Sequence, residues 1–298
     1  MNKKVSVVII TYNRSVEVLR KAIESVLSQT YKEWELIIVN DAPENRRLAG
    51  DIQKYIKGLN DNRISYLSYE HNSGSNYARN YGLAHAIGEY IAFLDDDDEW
   101  LPKKLEYQVC EMDKNDKIGL VSCGFYIHKN GQLVRIKKAD EQKNSRIQSL
   151  LLENYVGGTS FPLLRKSALD DVGVFDVEMK SCQEYELWIR IREKYDFATV
   201  NELLGVYNDF GDSIYKGNNN RYYTGMLQLI AKHQARYLEF PYVYNKIMNG
   251  FALYFLRHGN FELYRKCKKD AIKVRFCSPY NFTIIQILLK AKEYIRNF

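Results

Sequence analysis

Tyr90-Ile91-Ala92-Phe93-Leu94-Asp95-Asp96-Asp97-Asp98-Glu99-Trp100-Leu101-Pro102 is the stretch on which the reading of the fold turns. A short apolar run stops at four consecutive aspartates. A run of this length bounded by polar residues reads as a buried strand. Carboxylates set side by side disfavour one another's ionisation unless positive charge is supplied. A divalent cation supplies it, and a ligand set made only of oxygens suits Mg2+ or Mn2+. The alternative is a solvated acidic turn. The strand before the aspartates and Trp100-Leu101-Pro102 after them weigh against it.

Working outward, Val5–Ile10 and Leu36–Val39 are further β-branched runs, and Ile64–Tyr69 is another strand candidate. Between them lie helical patterns. Val18, Leu19, Ala22, Ile23, Val26 and Leu27 share one face of a helix that Ser15 can cap, a polar helix is expected over 46–57, and a further helix over 75–86. Pro102 suits the first turn of the next helix. Asn130-Gly131 between two apolar runs signals a hairpin. Strand and helix alternate through the first half, which argues for an α/β fold with a mostly parallel sheet and helices on both faces. In such sheets ligands bind beyond the carboxyl ends of the strands. Three of those ends carry polar clusters: Thr11-Tyr12-Asn13, Asn40-Asp41 and Asp95–Asp98. From 156 to 210 the pattern is irregular, with one amphipathic helix near Glu184–Glu193. Beyond 220 it is helical, with breaks at Pro241 and Ser278-Pro279. The expected division is a catalytic domain over 1–215 and a helical region over 216–298.

Net charge is +6, and residues 261–298 carry nine basic against three acidic side chains, so the body is neutral. That pattern suits contact with an anionic surface rather than nucleic acid. Phe282, Ile284, Ile285, Ile287, Leu288 and Leu289 followed by Lys290, Lys292 and Arg296 suit a helix on an anionic membrane surface. A helical cap and a homo-oligomer contact remain open for the same segment. Five widely spaced cysteines without a CxxC pair suit a reducing, cytoplasmic setting. Val5–Ile10 is too short for a signal peptide, and no run approaches the roughly 18 apolar residues of a membrane span.

The string Phe93–Pro102 resembles the DxD region of inverting family 2 glycosyltransferases, which have the GT-A fold. VSVVIITYNR (5–14), ESVLSQT (24–30) with WELIIVND (34–41), NSGSNYARN (72–80), Gly88-Glu89-Tyr90, DVGVFD (171–176) and QEYELWIR (183–190) resemble the family's other motifs, in the family's order. The resemblance spans roughly 4–208. It implies a GT-A, Rossmann-like domain with a C-terminal helical extension. The implied activity moves a sugar from a nucleotide-diphosphate donor, a UDP-sugar, to a hydroxyl on a glycan or lipid-linked glycan, in bacterial surface polysaccharide synthesis.

By the same resemblance Thr11 and Tyr12 contact the nucleobase and Asp41 accepts from a uracil ring N–H. Asn72 and Arg79 contact the nucleotide, Asp95 and Asp96 lie at the ribose or sugar, and Asp97 holds Mn2+ or Mg2+. The cation neutralises the departing diphosphate, and Asp98 is left without a firm role because the register of four aspartates can slip by one. An inverting transfer also needs a carboxylate to take the acceptor's proton. Glu184 stands where the family usually has Asp; its extra methylene moves the oxygen by about a bond length, at a scale where about 1 Å matters. Glu186 is the alternative base. Trp188 packs in the core or lines the acceptor site. Ile10 replaces a common proline, and Val206–Ser213 lacks the histidine many relatives carry, leaving Asp209, Asp212 or Lys216 to serve instead. Two other enzyme classes fit worse: an aspartyl phosphatase, for which Glu99 stands where Thr or Val is usual, and a nucleotidyltransferase, whose Gly-rich opening loop is absent. A binding module without catalysis is supported only by Glu184 in place of Asp.

Overall fold

A computed structural model of the chain describes residues 3–210 and 219–273. The strands are β1 (Val5–Thr11), β2 (Trp34–Asn40), β3 (Ile64–Ser68), β4 (Tyr90–Asp95), β5 (Glu99–Trp100), β6 (Ile118–Lys129), β7 (Gln132–Lys137), β8 (Leu163–Arg165) and β9 (Asp196–Asp209). The helices are α1 (Val16–Leu27), α2 (Arg46–Leu59), α3 (Ser75–Ala84), α4 (Lys104–Met112), α5 (Glu141–Asn144), α6 (Ile147–Leu152), α7 (Lys166–Val172) and α8 (Gln183–Lys194). They continue with α9 (Asn219–Lys232), α10 (Gln234–Glu239), α11 (Pro241–Arg257) and α12 (Phe261–Lys273). One sheet runs in the order β3-β2-β1-β4-β8-β6-β9-β5, with β7 hairpinned onto β6. The β3-β2-β1-β4 half is parallel throughout, and β6 pairs parallel with β9. The short β8 lies antiparallel between β4 and β6.

Alternation along β1 sends Val5, Val7 and Ile9 into a core shared with Leu19 and Ile23 of α1, Ile52 of α2 and Leu105 of α4. Val8 points the other way. A Cβ on Gly82 of α3 would meet Val8 Cγ1 at 2.5 Å and Val39 Cγ2 at 3.0 Å, so α3 lies close on that face. Helices therefore cover both faces, as the alternating pattern predicts. Asn130 and Gly131 take the positive φ values of 51° and 78° that join β6 to β7, which is the geometry an Asn-Gly turn favours.

Two local expectations need correction. Ser15 is the N-cap of α1, yet its side chain makes no capping bond; it bonds the Glu17 carboxylate, which lies below its usual pKa chiefly through a backbone hydrogen bond and then Ser15. Pro102 precedes α4 rather than entering its first turn, because Lys103 is the N-cap and the Pro102 carbonyl accepts from the Thr30 N–H at 2.8 Å.

The chain forms two compact units, 1–150 with 154–225, and 151–153 with 226–298. Residue 215 lies outside the described residues, as does the apolar and basic run over 282–296. Within the second unit, Pro241 starts α11 at its first turn, and a cavity of about 400 Å³ is lined by Leu227, Ile230, Tyr244, Met248, Lys266 and Asp270. Among the described residues no helix is long and apolar enough to cross a membrane.

Candidate active site

Register brings the polar strand ends together. Thr11 pairs with Asn40 across β1 and β2, and Ile10 pairs with Asp95 across β1 and β4. The cleft expected beyond the carboxyl ends is therefore built from three neighbouring parallel strands.

At the β4 end the four aspartates point to different partners. Asp95 Oδ1 accepts from Arg79 Nη2 at 2.8 Å and from Thr159 Oγ1 at 3.2 Å, while its N–H donates to Ser160 Oγ at 3.1 Å. Arg14 spans the next two, donating from Nε to Asp96 Oδ1 at 3.1 Å and from Nη2 to Asp97 Oδ2 at 2.8 Å. Asp98 is 2% exposed and accepts from the Asn208 N–H at 3.1 Å. Asn208 Nδ2 also holds the Asp97 carbonyl at 2.9 Å and Glu99 Oε1 at 3.1 Å. The acid loop is thus strapped to β9 from a point far along the chain.

Among the described residues, two guanidiniums face four carboxylates. Burial, then Asp95 and Asp96, push Asp97 up to about 6 against the pull of Arg14. Burial also raises Asp96, opposed by Thr11 and Arg14. Burial followed by Asp95 and Asp97 raises Asp98 well above the usual carboxylate range. The loop is short of positive charge, and that deficit fits a divalent cation. Among the described residues no group of three or more His, Cys, Asp or Glu side chains is arranged to hold a metal. Mg2+ sites commonly use only one or two protein carboxylates, with substrate phosphates and water completing the shell.

Arg79 is 6% exposed, and among the described residues its Nε and Nη1 find no hydrogen-bond partner. Buried unmet N–H donors are costly, and these belong to a cation already bonded to Asp95. An anionic or oxygen-rich ligand satisfies them.

At the β2 end, Asp41 is 4% exposed, its N–H donating to Thr11 O at 2.9 Å and its carbonyl accepting from Asn72 Nδ2 at 2.8 Å. Its Oδ1 accepts from Tyr69 Oη at 2.5 Å and from the Ser73 N–H at 3.0 Å. Thr11 is buried, whereas Tyr12 stands 57% exposed beside it.

The third wall is α8. Cys182 precedes it in a left-handed conformation with φ 58°, and burial pushes its thiol up to about 12, so no thiolate is poised there. Glu184 sits in the first turn. Burial raises its pKa, its own backbone N–H and Arg79 oppose that, and Asp95 adds to it. Glu184 therefore shares the electrostatic field of the Arg79–Asp95 pair. Tyr222 of α9 is 40% exposed, and partial burial, then Cys182, Tyr223 and Glu184, help to raise its pKa.

Glu186 is different. It is fully buried, and Arg190 grips both its oxygens at 2.8–3.0 Å. The same guanidinium donates to the carbonyls of Val172, Gly173 and Val174. Glu186 clamps the 171–176 loop and is not the alternative base. Asn80 reinforces that loop, donating to Phe175 O at 2.8 Å and accepting from the Phe175 N–H at 3.0 Å. Trp188 is core, with its indole N–H on Gly157 O at 3.1 Å.

The structure gathers Arg79, Asp95, Asp96 and Asp97 at the acid loop, with Glu184 within electrostatic reach of Arg79 and Asp95, and Thr11, Asp41 and Asn72 at the neighbouring strand end. Sequence reasoning missed Arg14, Tyr69, Thr159, Ser160 and Asn208. Arg14 was visible in the TYNR turn; the other four carry no local signal. Tyr207, pushed up to about 12 by burial and then by Asp98, Asp209, Asp97 and Asp95, was missed for the same reason. Asp212 and Lys216 lie outside the described residues.

An α/β domain with an acidic cluster beyond the ends of its parallel strands suits an enzyme that binds a phosphorylated substrate, and the comparisons place the chain more narrowly. Residues 6–173 match glycosyl transferase family 2, and the chain belongs to that family. It is 35% identical over 203 residues to an uncharacterised glycosyltransferase of Methanocaldococcus jannaschii, covering 67% of this chain and 69% of that one. It is 32% identical over 198 residues to the UDP-Glc:alpha-D-GlcNAc-diphosphoundecaprenol beta-1,3-glucosyltransferase WfgD of Escherichia coli, covering 66% and 73%. The fold is shared with S. aureus TarS in complex with UDP-GlcNAc, at TM-score 0.59 and 16% identity, covering 92% of this chain and 93% of TarS. It is shared also with the mannosyltransferase PcManGT from Pyrobaculum calidifontis in complex with GDP-Man and Mn2+, at TM-score 0.58 and 15% identity, covering 100% and 81%.

Proposed function

We propose that this glycosyltransferase is inverting and metal-dependent, and moves a sugar from a UDP-sugar to a hydroxyl on a glycan or lipid-linked glycan in surface polysaccharide synthesis. The observation that carries the reading is the charge-deficient acid loop with the Arg79–Asp95 pair and Glu184 in one field. Thr11, Tyr12, Asp41 and Asn72 bind the nucleoside, with Asp41 on a base N–H. Arg79 turns its unmet Nε and Nη1 to the donor's phosphate or sugar oxygens. Asp95 and Asp96 orient ribose and sugar, and Asp97 holds Mn2+ or Mg2+.

When bound, the cation neutralises the charge left on the departing diphosphate. Glu184 accepts the proton of the acceptor hydroxyl as that oxygen attacks the anomeric carbon from the opposite face. Its raised pKa strengthens it as a base, since a carboxylate titrating nearer neutrality takes a proton more readily. The lipid-linked acceptor named for WfgD supports a lipid-linked glycan here, with the chain working at the inner face of a cell membrane.

The test is nucleotide release from a panel of UDP-sugars with Mn2+, with and without chelator, in the presence of glycan acceptors. Metal-dependent, acceptor-stimulated release of UDP is expected. Release of inorganic phosphate instead would point to a phosphatase and overturn the reading.

A further inference from the structure

Asp41 is not a bare carboxylate awaiting a ligand. Its Oδ1 already accepts from Tyr69 Oη at 2.5 Å and from the Ser73 N–H at 3.0 Å. A carboxylate oxygen offers about two acceptor positions, so Oδ1 is saturated. No donor among the described residues reaches Oδ2, although Asp41 is only 4% exposed. The carboxylate enters the site with one oxygen spent and one available.

The arrangement is held rigidly. The Tyr69 ring makes edge contacts with Tyr77 and Tyr81, each with centroids 5.2 Å apart, so its hydroxyl cannot swing from Oδ1 without disrupting that cluster. The Asp41 backbone is pinned on both sides, by Thr11 O at 2.9 Å and by Asn72 Nδ2 at 2.8 Å.

Nucleobases differ in what they offer such a group. Uracil presents one ring N–H between two carbonyls, which a single oxygen can accept. Guanine presents two adjacent N–H donors that pair in parallel with both oxygens of a free carboxylate. With Oδ1 saturated, the second guanine donor would be desolvated without a partner, and an unmet buried donor is what a polar site rejects. The fold itself does not decide the base, since it holds UDP-GlcNAc in TarS and GDP-Man in PcManGT.

We propose that Tyr69 is a positioning residue that makes Asp41 accept from one ring N–H only, and so selects a uracil-type donor over a guanine one. This rests on the reading of Asp41 as the base contact.

The experiment is calorimetric titration of the full chain with UDP and with GDP, each with Mn2+, for wild type, Tyr69→Phe and Asp41→Asn. Diphosphate and cation are common to both nucleotides, so the ratio of the two affinities reports the base alone. Wild type should prefer UDP by about tenfold or more, and Tyr69→Phe should narrow that ratio by about tenfold, mostly through tighter GDP. A merely structural role for Tyr69 would lower both affinities together and leave the ratio intact, which overturns the proposal while a weakened UDP affinity in Asp41→Asn keeps the base contact. Unchanged UDP affinity in Asp41→Asn removes the base contact and the proposal with it. A wild type that binds GDP as tightly as UDP also overturns it.

Discussion

Two neighbouring strand ends carry buried carboxylates with different kinds of partner. At the end of β4, Arg14 and Arg79 pair with Asp95, Asp96 and Asp97, and burial with mutual repulsion lifts Asp97 to about 6 and raises Asp98 well above the usual carboxylate range. At the end of β2, Asp41 is surrounded by neutral donors from Tyr69 and Ser73. One end is unfinished and needs charge; the other is finished and needs only a fitting hydrogen-bond donor. The same residue type at the same place in a parallel sheet therefore supports two tasks, and its neighbours decide which.

The sharpest way to break this contrast is at the unfinished end. Asp97→Asn and Glu184→Gln should each reduce transfer by at least about 100-fold, measured as steady-state turnover. They should part in calorimetry. Asp97→Asn weakens binding of the UDP-sugar in the presence of Mn2+, and Glu184→Gln leaves it within about threefold, because a base acts on the acceptor. Full activity in Glu184→Gln would remove Glu184 as base.

A smaller effect is expected from the strap. Asn208 touches no substrate in this account but holds the acid loop at Asp97 O, Asp98 and Glu99. Asn208→Ala leaves the loop without its side-chain bonds and should cost about tenfold in transfer, as misplaced catalytic groups do. Unchanged turnover would show that the loop keeps its shape without β9.

The mildest prediction concerns pH. Glu184 must be ionised to accept a proton, and burial raises its pKa above the usual glutamate value. Activity should therefore be lost as pH falls through that raised value, on an acid limb above the range of an exposed carboxylate, by several-fold across about one pH unit. A profile of kcat against pH, flat down to the ordinary glutamate range, would contradict the assigned environment.

Much of this contrast was legible in the chain itself. Period-two and continuous apolar runs place β1, β2 and β4, and the polar residues that stop them mark the cleft. Asn130-Gly131 marks its hairpin because few other residues adopt that turn cheaply. The rest depends on contacts that sequence spacing does not encode. Arg14 meets Asp96 and Asp97 across more than eighty residues, and Asn208 meets Asp98 across more than one hundred. β9 is a 14-residue strand with few fully buried positions, so alternation is weak along it. Glu184 and Glu186 were separable only in part: two residues apart on a helix they point to different faces, and the i,i+4 spacing puts Arg190 beside Glu186, but only the structure shows that this pair is buried and clamps the 171–176 loop.

The central claim is that the β4 carboxylates lack a positive charge which a divalent ion supplies. The direct measurement is UDP affinity and sugar transfer by the full chain, first stripped of divalent ions and then titrated with Mn2+ or Mg2+. The account predicts that both collapse on stripping and return with the added cation. Affinity and turnover indifferent to its removal would contradict it.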